Sequence, residues 1–131
     1  MLNFVQTFAL ILVVEVFFKG IQMRKENTAF TAGNYKGLGS SVNSIFSFLR
    51  IDISSNQIVL IIHNLSGQNQ NDINVKAISS NISSGEYDLI DLLSSNTFGK
   101  LTINSNGSFN SSINSLTLAP YSSIVLSLQK P

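Results

Sequence analysis

The sequence predicts an all-β domain, an antiparallel Greek-key β-sandwich of seven or eight strands preceded by an N-terminal helix. From residue 31 onward, short apolar runs are separated by Ser, Asn and Gly residues that favour turns, with roughly 8 to 12 residues from one turn to the next. No helical pattern lies between these runs, which excludes alternating βαβ units and a parallel sheet. Hydrophobic residues make up 44% of the chain, too many for a disordered segment.

The first 30 residues have a different composition and define a separate region, an apolar segment and helix, ahead of the β-sandwich at 31–131. Residues 1–18 are mostly apolar but carry Gln6 and Glu15. We favour a helix that continues to Asn27 and is buried against another domain. A membrane helix and a secretory signal are the two alternatives. The first needs about 20 apolar residues, and the second needs a basic start and a small-residue cleavage site that this sequence lacks.

The predicted strands are recognised by their apolar patterns. Ile45–Ile53 is a long extended segment followed by a Ser-Ser-Asn turn. Ile58–Ile62 consists of five consecutive apolar residues, as expected of a central strand that is covered on both faces. The other predicted strands are Ile73–Ala77, Tyr87–Leu93, Leu101–Ile103, Leu116–Leu118 and Ile124–Leu128, and Asn106-Gly107 provides a hairpin turn.

Composition argues against several classes of function. The net charge is +1 with 11% charged residues, and the scattered Lys and Arg residues form no basic stripe for nucleic acid. There is no Cys, and His63 is the single histidine, so a histidine-based metal cluster is excluded. Asp88 and Asp91 are an odd number of residues apart and therefore point to opposite faces of one strand. We expect no catalytic, cofactor-binding or metal-binding residue, and we expect a structural role for His63.

Several segments resemble the α-amylase superfamily of glycoside hydrolases. The run Ile21–Phe30, which contains Met-Arg-Lys, and the following Gly33-Asn34-Tyr35 are similar to the last helix and exit loop of the catalytic barrel. Ile58–Ser66, with its Asn-Leu-Ser turn, resembles a strand of the C-terminal β-domain in that superfamily. Asp91-Leu92-Leu93 and the closing Leu-Thr-Leu-Ala-Pro-Tyr run at 116–121 are similar to later parts of the same domain.

This resemblance implies a non-catalytic C-terminal β-sandwich that packs against and stabilises the catalytic (β/α)8 barrel of an α-glucan-degrading enzyme. Such a barrel needs about 250 residues, so the 131 residues here are expected to be a fragment without it. The two catalytic carboxylates of the superfamily lie on the barrel, and no motif in this sequence matches them.

Two other functions are kept as alternatives. The first is a module that binds starch or another α-glucan, for which Tyr35 and Tyr121 are the candidate carbohydrate contacts, because sugar rings stack on exposed aromatic rings. The absence of Trp makes this the weaker hypothesis. The second is a membrane-tethered β-domain, if residues 1–18 insert into a bilayer.

Overall fold

The computed structural model describes residues 34–113 and 115–131. This part of the chain contains eight strands in two antiparallel sheets and no helix, which confirms the predicted all-β fold. The predicted N-terminal helix and the boundary at residue 30 lie outside the described residues.

The strands follow one another without a helix between them. In chain order they are β1 (Asn34–Gly37), β2 (Ile45–Asp52), β3 (Gln57–Asn64), β4 (Ile73–Ala77), β5 (Gly85–Asp91), β6 (Thr97–Ile103), β7 (Phe109–Ile113) and β8 (Ser123–Gln129).

Six strands form the larger sheet in the order β1-β2-β3-β8-β5-β6, and β4 pairs with β7 in the smaller one. The last strand, β8, is inserted between β3 and β5, so the chain crosses over as a Greek-key arrangement predicts. Strand β3 pairs with β2 on one side and β8 on the other. Its residues from Ile58 to Asn64 are all buried, which confirms the predicted central strand.

The main hydrophobic core lies between the two sheets. Leu49, Leu60 and Leu126 face one another across β2, β3 and β8 and are fully buried. The smaller sheet covers them with the apolar residues of its inner face, namely Ile73, Val75, Phe109 and Ile113. One polar atom also lies in this part of the protein, the buried Ser47 hydroxyl, which has no hydrogen-bond partner.

The turns at Gly107 and Asp91 each depend on the chemistry of one residue. Gly107 lies in the turn between β6 and β7 and has a φ of +82°. Because this turn joins strands of different sheets, the predicted hairpin at Asn106-Gly107 does not form. A Cβ atom on Gly107 would lie 2.3 Å from the Ser80 carbonyl oxygen, so this glycine allows two chain segments to touch. Strand β5 ends at Asp91, whose carboxylate accepts hydrogen bonds from the Leu93 N–H at 2.9 Å and the Ser94 hydroxyl at 2.9 Å.

The structure differs from the predicted strands in three places. Strands β1 and β7 were not predicted, because both are short and rich in polar residues. The predicted strand Leu116–Leu118 is reduced to a single bridge between Leu118 and Gln70. The turns on either side leave this segment too little length for a ladder, since the Leu116 N–H bonds to the Ile113 carbonyl and Pro120 follows two residues after Leu118.

Candidate docking surface

The larger sheet has an outer face that points away from the smaller sheet, and the strand register determines which residues lie on it. Tyr35 is opposite Arg50, Phe46 is opposite His63, and Phe48 is opposite Ile61. Side chains alternate along a strand. These residues therefore point away from the core that contains their neighbours.

Four rings lie next to one another on this outer face. The ring centroids are 5.3 Å apart for Tyr35 and Phe48 and 5.7 Å apart for Phe46 and Phe48. The imidazole of His63 stacks on Phe46 at 5.9 Å with an interplanar angle of 7°. These spacings lie in the range in which aromatic pairs attract one another. The rings therefore form one packed aromatic row from the edge strand β1 to the centre of the sheet.

An aliphatic cluster continues the apolar surface beyond the aromatic row. Val59, Ile61 and Val125 are buried on the outer face, and Phe48 and Leu92 pack against them. An antiparallel sheet that meets water on one face normally carries polar residues there. The apolar residues of the outer face come mainly from β2 and β3, whereas β8 contributes Val125 between the polar Ser123 and Ser127. The middle of this face is therefore more apolar than a sheet face that meets only water.

The remaining part of the outer face is charged. On β5 and β6, Lys100 forms ion pairs with Glu86 at 3.0 Å and with Asp88 at 2.9 Å. The hydrogen bonds that Lys100 donates to Asp88 and then to Glu86 raise its pKa above the usual value. These charged groups mark one border of the apolar surface, which lies on β1, β2, β3 and β8 with Leu92 beside it. One charged residue, Arg50, lies within this surface opposite Tyr35.

His63 is buried within this surface. Its Nδ1 atom lies 2.6 Å from the Ser123 hydroxyl on β8. Burial lowers the pKa of the imidazole from 6.5 to about 4, so the ring is uncharged at neutral pH. A neutral ring that joins two strands and supports Phe46 is consistent with the predicted structural role.

The apolar surface reaches two loops at one end of the sheet, residues 64–68 and 118–122, which together we call the twin-loop end. Asn64 is fully buried between them. Its amide donates to the carbonyl oxygens of Gln68 at 2.7 Å, Ala119 at 3.0 Å and Leu118 at 3.2 Å. Its own carbonyl oxygen accepts from the Ser66 N–H at 3.0 Å. One side chain thus holds both loops together.

Two large apolar side chains of the twin-loop end are solvent-accessible. Tyr121 is 46% exposed and Leu65 is 38% exposed. The Leu65 N–H bonds to the Ser44 carbonyl, so the β2–β3 ladder extends to this residue. Tyr121 has a φ of +56°, a left-handed conformation that is unusual for a residue with a large side chain.

The two predicted carbohydrate contacts, Tyr35 and Tyr121, lie at different ends of the apolar surface. Tyr35 pairs with Arg50 of β2. Tyr121 donates its N–H to the Ser66 carbonyl, just beyond the end of β3, where Asn64 pairs with Ile45 of β2. Five residues of strand separate the two positions, roughly 17 Å. The structure therefore does not bring the two rings together to hold one sugar unit, and any carbohydrate contact by either residue stays a prediction.

Four of the five carboxylates among the described residues have structural partners. The Asp52 carboxylate accepts hydrogen bonds from the Ser54 and Ser55 hydroxyls, both at 2.7 Å, as expected of an acid at a turn. Asp88 is paired with Lys100 on the outer face, and Asp91 closes the turn after β5. Across residues 34–113 and 115–131, no three His, Cys, Asp or Glu side chains come together to hold a metal ion.

Two shallow grooves lie at the β1 edge of the sandwich. The larger has a volume of about 580 Å³ and is lined by residues that include Lys36, Lys76 and Ile78. The smaller, of about 220 Å³, includes Tyr35, Asn34 and Asn81 in its lining. Tyr121 lines neither groove.

A membrane-spanning helix does not occur within the part of the chain that the structure describes. The predicted membrane contact through residues 1–18 falls outside that part.

Comparison with known proteins supports the resemblance seen in the motifs. A family model described as the alpha-amylase SusG C-terminal domain matches residues 45–125, that is, 81 of the 131 residues. The matched range begins with β2 and ends within β8, so it includes most of the apolar surface. No curated protein sequence matches the chain.

Proposed function

Because the chain belongs to the family of α-amylase SusG C-terminal domains, we propose that it packs against the catalytic barrel of an α-glucan-degrading enzyme through the outer face of its larger sheet and stabilises that barrel. The accessory, C-terminal character follows from the family. The apolar surface on β1, β2, β3 and β8 is the observation that supports the packing role.

The size of this surface fits a partner in the same polypeptide. Phe46 is 43% exposed and Tyr35 is 58% exposed. With roughly 200 Å² per aromatic side chain, covering both would bury about 200 Å², or about 5 kcal/mol at ~25 cal/mol per Å². Association of separate molecules costs about 4 to 15 kcal/mol. Covalent linkage lowers that cost by raising the effective concentration, so a surface of this size is adequate for a tethered domain.

Substitution of Phe46 by Ser tests the proposal. The catalytic domain of a SusG-type α-amylase, prepared without its own C-terminal domain, is joined to this chain by a flexible linker, and the equilibrium between bound and unbound chain is measured by energy transfer between fluorophores on the two parts. Loss of about 90 Å² of buried ring removes about 2 kcal/mol, so Phe46→Ser is expected to weaken binding roughly thirtyfold.

A matched control is available on the other side of the sandwich. Ile78 follows β4 in the smaller sheet and is 91% exposed, so Ile78→Ser removes an accessible apolar side chain outside the outer face. Its binding should equal that of the unchanged chain. Equal weakening by both substitutions, or no binding by the unchanged chain, would contradict docking through the outer face.

We also propose that the chain has no hydrolytic activity by itself, because the carboxylates described above are engaged in turns and ion pairs. Incubation with starch and aryl glucosides should yield no sugar above a blank. Turnover that persists through repeated purification and is lost in Asp88→Asn would refute this.

Glycan binding is a second candidate function. It is supported by the small groove that Tyr35 lines together with Asn34 and Asn81, because amide groups can both donate to and accept from sugar hydroxyls. A pull-down on insoluble starch tests it, with Tyr35→Ser expected to lose retention and Tyr121→Ser to keep it. Equal retention of both variants would indicate that the groove does not bind the polymer.

A further inference from the structure

We infer that the docking surface extends past the sheet onto the twin-loop end, where Asn64 holds Leu65 and Tyr121 in position to contact the same catalytic domain. This inference rests on the proposed function and adds the second region of contact.

The two loops of the twin-loop end are fixed by hydrogen bonds to one buried side chain. The Asn64 side chain bonds to three carbonyl groups and to Ser66, and it is buried. The Ser66 hydroxyl also donates to Asn64 Oδ1 at 2.8 Å. Loops that are fixed by a buried hydrogen-bond network lose little conformational freedom when a partner binds, which favours affinity.

The backbone of Tyr121 has an unfavourable conformation. Its left-handed φ is maintained by a hydrogen bond from its own N–H to the Ser66 carbonyl at 3.1 Å. Its hydroxyl lies 3.3 Å from the position that a Cβ atom would take on Gly67. An unfavourable backbone conformation that presents a large ring to solvent offers no evident gain to the isolated domain. Such strain is often found where a ligand or partner is bound.

The twin-loop end is continuous with the apolar surface of the larger sheet. Leu65 extends the β3 ladder that carries His63, and His63 stacks on Phe46. Residues 64–68 and 118–122 contain no charged residue. The partner surface that fits them is therefore uncharged and apolar, with a polar group near its edge for the tyrosine hydroxyl. Tyr is among the residues that contribute most strongly to binding at such interfaces.

Substitution of Tyr121 by Gly separates a docking role from a structural one. Glycine adopts the left-handed conformation without strain, so the thermal midpoint of the chain should stay constant or rise. Binding to the SusG-type catalytic domain should weaken about thirtyfold, since about 90 Å² of exposed ring is lost from the contact. Leu65→Ser should also weaken binding, by severalfold.

Asn56→Gly is the matched control. Asn56 has a φ of +58° and is exposed in the turn between β2 and β3, at the opposite end of the sheet. The same relief of backbone strain at Asn56 should leave binding unchanged.

If Tyr121→Gly binds as tightly as the unchanged chain while Phe46→Ser binds weakly, the twin-loop end is not part of the contact and only this inference fails. If Tyr121→Gly lowers the thermal midpoint by several degrees, the ring has a structural role instead. If the unchanged chain does not bind, the proposed function fails as well.

Discussion

Replacement of Asn64 by Asp should destabilise this domain more than its nearly identical shape suggests. The substitution replaces the amide group that donates to three carbonyl oxygens at 2.7, 3.0 and 3.2 Å by a carboxylate oxygen. An acceptor would then face three acceptors in a fully buried site.

The magnitude follows from the bonds that are lost. The two N–H groups of the amide, at about 1 kcal/mol each, contribute about 2 kcal/mol, and a carboxylate buried against three carbonyl oxygens costs about as much again. We expect a total loss of about 4 kcal/mol at pH 7, against the 5 to 15 kcal/mol typical of a whole domain. For a chain of this length that corresponds to a thermal midpoint lower by roughly 15 °C.

Thermal unfolding followed by circular dichroism measures this difference. Asn104→Asp is the matched control, because Asn104 is exposed in the turn between β6 and β7 and its amide donates to the nearby Ser108 hydroxyl at 3.1 Å. That variant should remain within about 0.5 kcal/mol of the unchanged protein. The deficit of Asn64→Asp should become smaller as the pH falls, because a protonated carboxyl regains one donor. Equal midpoints for Asn64→Asp and the control would refute the role assigned to this side chain.

Two further predictions concern buried polar groups. Burial lowers the pKa of His63 from 6.5 to about 4. Between these pH values the unfolded chain binds a proton that the folded chain does not. The free energy of unfolding should therefore fall by up to about 3 kcal/mol as the pH decreases from 6.5 to 4. Urea unfolding at pH 7 and pH 4.5 measures this loss, and an equally steep loss in His63→Gln would show that another group causes it. Ser47→Ala should raise stability by about 1 kcal/mol, because it removes a buried hydroxyl without a partner; a lower midpoint for this variant would mean that the hydroxyl is bonded in solution.

The central strands were predictable because their signals are local. A run of five apolar residues at 58–62 indicated a strand covered on both faces, and β3 is that strand. The turn at Asn106-Gly107 was likewise predicted from two residues, but it links strands of different sheets and does not form the predicted hairpin. Strands β1 and β7 could not be predicted in this way, since their sequences are mostly polar and only pairing with β2 and β4 makes them strands.

The apolar surface was only partly recognisable from the sequence. In β2, Phe46 and Phe48 alternate with Ile45 and Leu49. Because odd- and even-numbered positions of a strand lie on opposite faces, this pattern indicates that both faces of β2 are apolar at these positions. The contribution of β8 and the meeting of the two loops at Asn64 depend on contacts between residues more than 50 positions apart. Such contacts follow from topology, and no local pattern reports them.

The two outer strands of the larger sheet also affect how the protein behaves at high concentration. Strand β1 pairs over only four residues, too few for a long ladder with another molecule. At the other border, β6 is interrupted near Gly99, with a φ of +88° and a register shift against β5, and it carries the charged Lys100. Short, kinked and charged edge strands hinder pairing between sheets of different molecules. The domain can therefore expose an apolar face for binding to a partner, while the edge strands of its larger sheet disfavour the strand pairing between molecules that leads to fibrils.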